Sequence, residues 1–170
     1  MKTDFTIRQA QQSDAVELKE LFQNTVLVIN RRDYSQAEVE DWASCGDDLS
    51  NIEEMIKTHY FIVAVNQQSQ IVGFSSITSQ GYLHSMFVHK DFQGEGIATM
   101  LLEEIERYAI TAGITRITSE VSLTARPFFE KKGYVVEKEQ KRKANQLSLT
   151  NFLMAKEVAF LEYYNKRVTD

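Results

Sequence analysis

One stretch constrains the fold of this chain more than any other. Residues 82–98, YLHSMFVHKDFQGEGIA, run from an apolar strand candidate through a glycine-bearing turn into a long amphipathic helix. The strand ends on Met86, Phe87 and Val88. After a polar connector, Gln93, Gly94, Glu95, Gly96, Ile97 and Ala98 open the helix. Ile97, Leu101, Leu102, Ile105, Tyr108 and Ala109 recur on one helical stripe, Glu103, Glu104, Glu106 and Arg107 take the other side, and Gly113 stands where a glycine stops a helix. First-turn amides have no partner inside a helix, so a turn of this kind aims several N–H groups at one point and suits an anionic phosphate. Gly94 and Gly96 allow close approach of a ligand to the backbone. An ordinary strand-to-helix connection has the same outline, and the residues alone leave both readings open.

The rest of the chain supplies strands and helices in an order that fits an α+β fold. Residues 5–8 alternate as a short strand. Ser13 or Asp14 can cap a helix carrying Val16, Leu18, Leu21, Phe22 and Val26. Ser35 with Glu38 three residues on fits a capping box for a second helix bearing Val39 and Trp42, and a third helix covers 48–58. Three strands follow, Tyr60–Val65, Ile71–Ile77 and 82–88, joined by short turns and therefore antiparallel neighbours. The helix over 97–112 leads to a strand at 114–121, so the strands on either side of it should be parallel. A short helix over 125–132 tolerates Pro127 in its first turn, strands at 134–139 and 147–154 come next, and 157–170 is a charged tail or terminal helix. No linker or repeat divides the 170 residues, which form one domain.

Charge and cysteine content exclude several classes. A net charge of −5 argues against a bulk nucleic-acid surface, and the basic run at 138–143 reads as a solvated loop or strand end. Cys45 is alone, so neither a disulfide framework nor a cysteine zinc site is available, and no metal site is expected. The N-terminal residues lack the apolar run of a signal peptide, and no stretch reaches the roughly 18 apolar residues of a membrane span. These features point to a cytoplasmic protein without a membrane partner.

The pattern Gln-x-x-Gly-x-Ala on Gln93, Gly96 and Ala98, preceded by Met-Phe-Val and a polar connector, resembles the pyrophosphate signature of the GNAT (GCN5-related) N-acetyltransferases. Residues 125–134, ARPFFEKKGY, resemble that family's second landmark, and the two stand at the family's spacing. The likeness spans about residues 5–156. It implies a mixed sheet of six to seven strands, antiparallel with a central parallel pair that splays apart, flanked by four to five helices. It also implies acetyl-CoA as co-substrate. The pantetheine arm would pair with the backbone of Met86, Phe87 and Val88, and Gln93, Gly94, Glu95, Gly96, Ile97 and Ala98 would hold the pyrophosphate, with the Glu95 carboxylate turned to solvent. Two positions depart from the family: Phe129 replaces its usual tyrosine acid, and Ser122 replaces an asparagine. Both remain cofactor-contact candidates.

N-acetylation needs a neutral amine, so a base must take a proton from it. Alternation along the strand places Tyr82, His84 and Met86 on one face, and His84 is competent as that base, though a hydrogen-bonded strand histidine would look the same. His59 and His89 read as surface residues. Tyr134 is a second catalytic candidate that could equally be core. Tyr34 and Trp42 are candidates to line a pocket for a small-molecule or peptide amine. The leading expectation is an acetyl-CoA-dependent N-acetyltransferase acting by direct attack on the thioester, compatible with a homodimer. A catalytically silent acyl-CoA-binding module is the alternative. A nucleotide-binding protein is disfavoured, because no Gly-Lys-Ser/Thr follows Gly96.

Overall fold

The computed structural model describes residues 4–158, so the expected tail lies almost wholly outside the described residues. The chain runs β1 (Thr6–Gln9), α1 (Ala15–Val28), α2 (Gln36–Ser44), α3 (Leu49–Thr58), β2 (Tyr60–Val65), β3 (Ile71–Ile77), β4 (Leu83–Val88), α4 (Ile97–Thr111), β5 (Arg116–Ser122), α5 (Arg126–Lys131), β6 (Val135–Lys143) and β7 (Ser148–Glu157). Local chemistry explains most boundaries. Ser35 Oγ accepts from Glu38 N–H at 3.1 Å while Glu38 accepts from Ser35 N–H at 2.9 Å, the reciprocal cap read from the sequence. The Asp48 carboxylate accepts from Ser50 N–H and starts α3. Gly96 (φ 82°) opens α4 and Gly113 (φ 78°) ends it, both in the left-handed region that favours glycine. The start of α1 differs from expectation. Asp14 stands at its N-cap without capping it: it ends a 3-10 turn over Gln12–Asp14 in helical conformation, and its carboxylate accepts from Gln11 N–H at 2.7 Å and from Arg8 at 2.8 and 3.0 Å.

The strands form two antiparallel sheets, ordered β1-β2-β3-β4 and β5-β7-β6. The expected parallel neighbours, β4 and β5, belong to different sheets. They meet in one parallel bridge, Tyr82 to Thr118, supported by Thr118 N–H to Gly81 O at 3.0 Å and Ser119 Oγ to Leu83 O at 2.8 Å. Past Leu83, no hydrogen bond joins the two strands among the described residues. β5 is instead paired along its whole length with β7, from Arg116–Glu157 to Ser122–Asn151. The basic run at 138–143 is part of β6, a mostly exposed outer strand whose charges discourage edge pairing.

α4 packs its apolar stripe against both sheets, in a core with Ile62, Val72, Ile117 and Met154. α1 and α3 cover the opposite face of the first sheet through Leu18, Leu21 and Ile52 against Phe61, Val63 and Phe74. Gly73 sets how closely α4 lies on β3, since a Cβ there would stand 2.8 Å from Ile97 Cγ2. That contact fixes the first turn of α4 and the glycine turn before it.

Candidate active site

The glycine turn leaves its main chain open. Gly94 (φ 76°) and Gly96 (φ 82°) both adopt the left-handed conformation, and a Cβ on either would meet nothing within 4 Å. Among the described residues, no protein acceptor takes the N–H of Gly94, Glu95 or Gly96, and the first-turn amides of α4 are unpaired as at any helix start. Unpaired amides at a helix N-terminus form a site for an anion, so the residues present fit a diphosphate. Glu95 is exposed, as anticipated. The Gln93 side chain is not part of the opening. Its Nε2 donates to Val88 O at 2.8 Å and to His89 O at 3.3 Å, clamping the turn onto the end of β4.

Ladder parity decides which backbone groups of β4 are available. His89 N–H donates to Val72 O at 2.8 Å. Antiparallel strands bond in alternate pairs, so 74–87 and 76–85 are the bonded pairs, and Met86 and Val88 turn their main-chain groups away from β3. Val88 O is already taken by Gln93 and by Thr25 Oγ1 at 2.9 Å. Both main-chain groups of Met86 and the N–H of Val88 therefore face the space where β4 and β5 are not bonded. Phe87 is a correction: its backbone pairs with Phe74, and its ring packs against Phe22 at 5.1 Å and Trp42 at 6.0 Å.

A β-bulge re-aims His84. The β3–β4 register passes from Ser76–Ser85 to Ile77–Leu83, which leaves His84 as the extra residue. The expected face shared by Tyr82, His84 and Met86 is broken there. Met86 packs toward the α4 core, whereas the His84 ring lies 5.4 Å from His59 and 5.9 Å from Tyr82. His59, read from the sequence as a surface residue, thus shares the site. Its only sequence signal was its position directly before a buried strand. His89 stays in the connector, its ring accepting from Asp91 N–H.

These parts line one cavity of about 1050 Å³ that reaches from Gly94 and Gly96, past Met86 and Phe129, to His84, His59 and Trp42. The His84 ring is open to solvent through the cavity yet enclosed by protein on most sides. Desolvation and the neighbouring His59 lower its pKa, and Glu120 opposes them. Burial lowers the pKa of His59 and pushes the Tyr82 phenol up to about 12. Cys45 also lines the cavity, and burial followed by Asp41 raises its pKa, holding it as a thiol. Among the described residues, no group of three or more metal-ligating side chains is assembled.

Other expected site residues have structural duties. Ser122 lines the cavity while its Oγ accepts from Ala125 N–H at 3.1 Å, closing the turn into α5. Phe129 is 2% exposed and stacks edge-on with Tyr134 and Phe128. Tyr134 is not brought to the cavity. It is 2% exposed, donates to Glu106 at 3.2 Å, and has its pKa raised strongly by burial and by that carboxylate. Tyr34 lines the cavity with its ring, but its hydroxyl is committed to Thr150 O at 2.6 Å and to Leu123 N–H at 2.9 Å. Trp42 is half-buried beside it at 5.8 Å.

The acetyltransferase (GNAT) domain family matches residues 30–157. The chain is 28% identical over 148 residues to the uncharacterized N-acetyltransferase YafP of Escherichia coli K12, covering 87% of this chain and 93% of that one. It superposes on a GCN5-related N-acetyltransferase from Rhodopseudomonas palustris with a TM-score of 0.87 and 27% identity, over 90% and 95% of the two chains. PaiA N-acetyltransferase from Thermoplasma acidophilum, solved in complex with coenzyme A, shares the fold with a TM-score of 0.74 and 19% identity, over 90% and 98%. The chain belongs to the GNAT acetyltransferase family. It is an N-acetyltransferase, and acetyl-CoA is the acetyl donor of this family. No described helix is long and apolar enough to cross a membrane.

Proposed function

We propose that this protein transfers the acetyl group of acetyl-CoA to a primary amine of a small molecule or peptide by direct attack on the thioester, with His84 as the base. One observation carries the reading: a bulge turns His84 into the same cavity that the open amides of 94–98 enter. Acetyl-CoA supplies an acyl carbon already activated toward amines. The chain's part is to hold it, to orient the amine and to take a proton. The amides of Gly94, Glu95, Gly96 and the first turn of α4 would hold the diphosphate. The open groups of Met86 and Val88 would accept the pantetheine arm in the gap between β4 and β5, much as a peptide adds to a sheet edge. Trp42 and the ring of Tyr34 would line the acceptor side.

A lowered pKa keeps His84 neutral at physiological pH and ready to accept the amine's proton. A covalent acetyl-enzyme is disfavoured because the cavity's one cysteine is held as a thiol. The test is thiol release from acetyl-CoA over a panel of amines, with His84→Ala beside the wild type. Release should depend on the amine and fall roughly 10²–10⁴-fold in the variant, the range for a positioned general base. Binding of acetyl-CoA with no amine-dependent release would instead identify the silent acyl-CoA-binding module.

A further inference from the structure

His59 and His84 come from elements far apart in sequence, the end of α3 and the bulge of β4, yet their rings are 5.4 Å apart on one cavity wall. His59 is held at both ends. Its backbone N–H donates to Met55 O at 2.9 Å as the C-cap of α3, and its Nδ1 lies 3.3 Å from Ser76 Oγ. Ser76 Oγ in turn lies 2.7 Å from Ser85 Oγ, and both serines are buried. A hydroxyl both donates and accepts. With His59 neutral, Ser85 can donate to Ser76 and Ser76 to Nδ1. With His59 protonated at Nδ1, the ring donates to Ser76 and Ser76 to Ser85. The neutral ring therefore gives both serine hydrogens an acceptor, whereas a ring protonated at Nδ1 leaves the Ser85 hydroxyl hydrogen without an acceptor among the described residues, so the network favours neutral His59. Among the described residues, the other titratable and charged groups lining the cavity are Tyr82, Glu120 with its partner Arg142, Glu54, Lys143, Tyr34 and Cys45.

We propose that His59 is a positioning residue that works with His84 as one acid–base unit: the pair holds a single proton at a time, and His59 keeps His84 free to receive the proton of the acceptor amine. This rests on His84 being the base. The amine nitrogen bonds the acyl carbon, the thioester C–S bond breaks with its electron pair going to sulfur, and coenzyme A leaves as the thiolate. The amine N–H proton goes to His84, and from there it passes to His59 or to water, while the thiolate takes a proton from solvent. Two imidazoles this close cannot both carry charge without mutual repulsion, so they titrate in two separated steps that belong to the pair.

The chain has three histidines, which makes the titration legible by NMR of the imidazole nuclei. In the wild type, His59 and His84 should show coupled titration curves. In His59→Gln, which keeps a polar group toward Ser76, the His84 midpoint should rise, and the acid limb of kcat/KM should move to higher pH with it. His59→Asn gives the same readout if the glutamine variant fails to fold. His89→Gln, in the connector, should leave the His84 midpoint where it was. A His84 midpoint unmoved by loss of His59 overturns the coupling. A midpoint that moves while the acid limb stays put shows that His84 is not the base, which overturns that reading and the catalytic half of this one.

Discussion

Gly73→Ala tests whether the seat of α4 on β3 sets the geometry of the glycine turn. The added Cβ would stand 2.8 Å from Ile97 Cγ2 and 3.1 Å from both Leu101 Cδ1 and Phe87 O. Carbon pairs prefer about 3.5–4.0 Å, and Ile97 and Leu101 are at most 1% exposed, so neither side chain can swing aside. The helix start must move outward. Overpacking of this kind costs about 1–3 kcal/mol, and replacing a strand glycine by alanine returns about 0.5–1 kcal/mol, for a net loss of up to about 2.5 kcal/mol. In a chain of this size that lowers Tm by up to roughly 10 °C. The displaced first turn carries the amides of Gly94 and Gly96 with it, so calorimetry should also find weaker coenzyme A binding. Unchanged melting together with unchanged affinity would refute the argument that this contact places the turn.

Gly96→Glu should abolish coenzyme A binding while the protein stays folded, because the left-handed backbone costs a side chain only about 1–2 kcal/mol and nothing within 4 Å opposes its Cβ; full affinity by calorimetry would disprove it. Asp14→Asn should lose about 1 kcal/mol at neutral pH, the scale of a charge-assisted bond to a part-exposed arginine. The bond from Arg8 holds the Asp14 carboxyl below its ordinary range, so its contribution is present above about pH 4 and is lost as pH falls through the lowered folded value. Denaturation of wild type and variant should accordingly converge in acid, and a constant gap would count against the pair. Tyr134→Phe should keep acetyl transfer near the wild-type rate, since the phenol faces Glu106 rather than the cavity; a large drop in kcat would restore the tyrosine as an acid.

Much of the site's frame could be read from residue order alone, because its signals are local. The stripe from Ile97 to Ala109, the two left-handed glycines around it and the Ser35–Glu38 cap each depend on neighbours within a turn or two. What escaped depends on distant partners. The place of β7 between β5 and β6 is set by pairings of Leu153 and Met154 with both, and the parallel contact of β4 with β5 stops at Tyr82–Thr118, so the two strands belong to different sheets. The bulge at His84 exists only against the register of Ser76 and Ile77, so a period-two reading put His84 on the wrong face. His59 meets His84 and Ser76 through the same register. Gln93 and Tyr134 have family-like positions, but their side chains are committed to Val88 O and Glu106, which only packing reveals.

Binding of acetyl-CoA in the proposed manner depends on the open amides that precede α4. Backbone NMR during titration with coenzyme A reads them directly. The largest shifts should fall on the N–H signals of Gly94, Glu95, Gly96 and Ala98, with a second group at Met86 and Val88. Shifts that leave 94–98 untouched while coenzyme A binds elsewhere would contradict it.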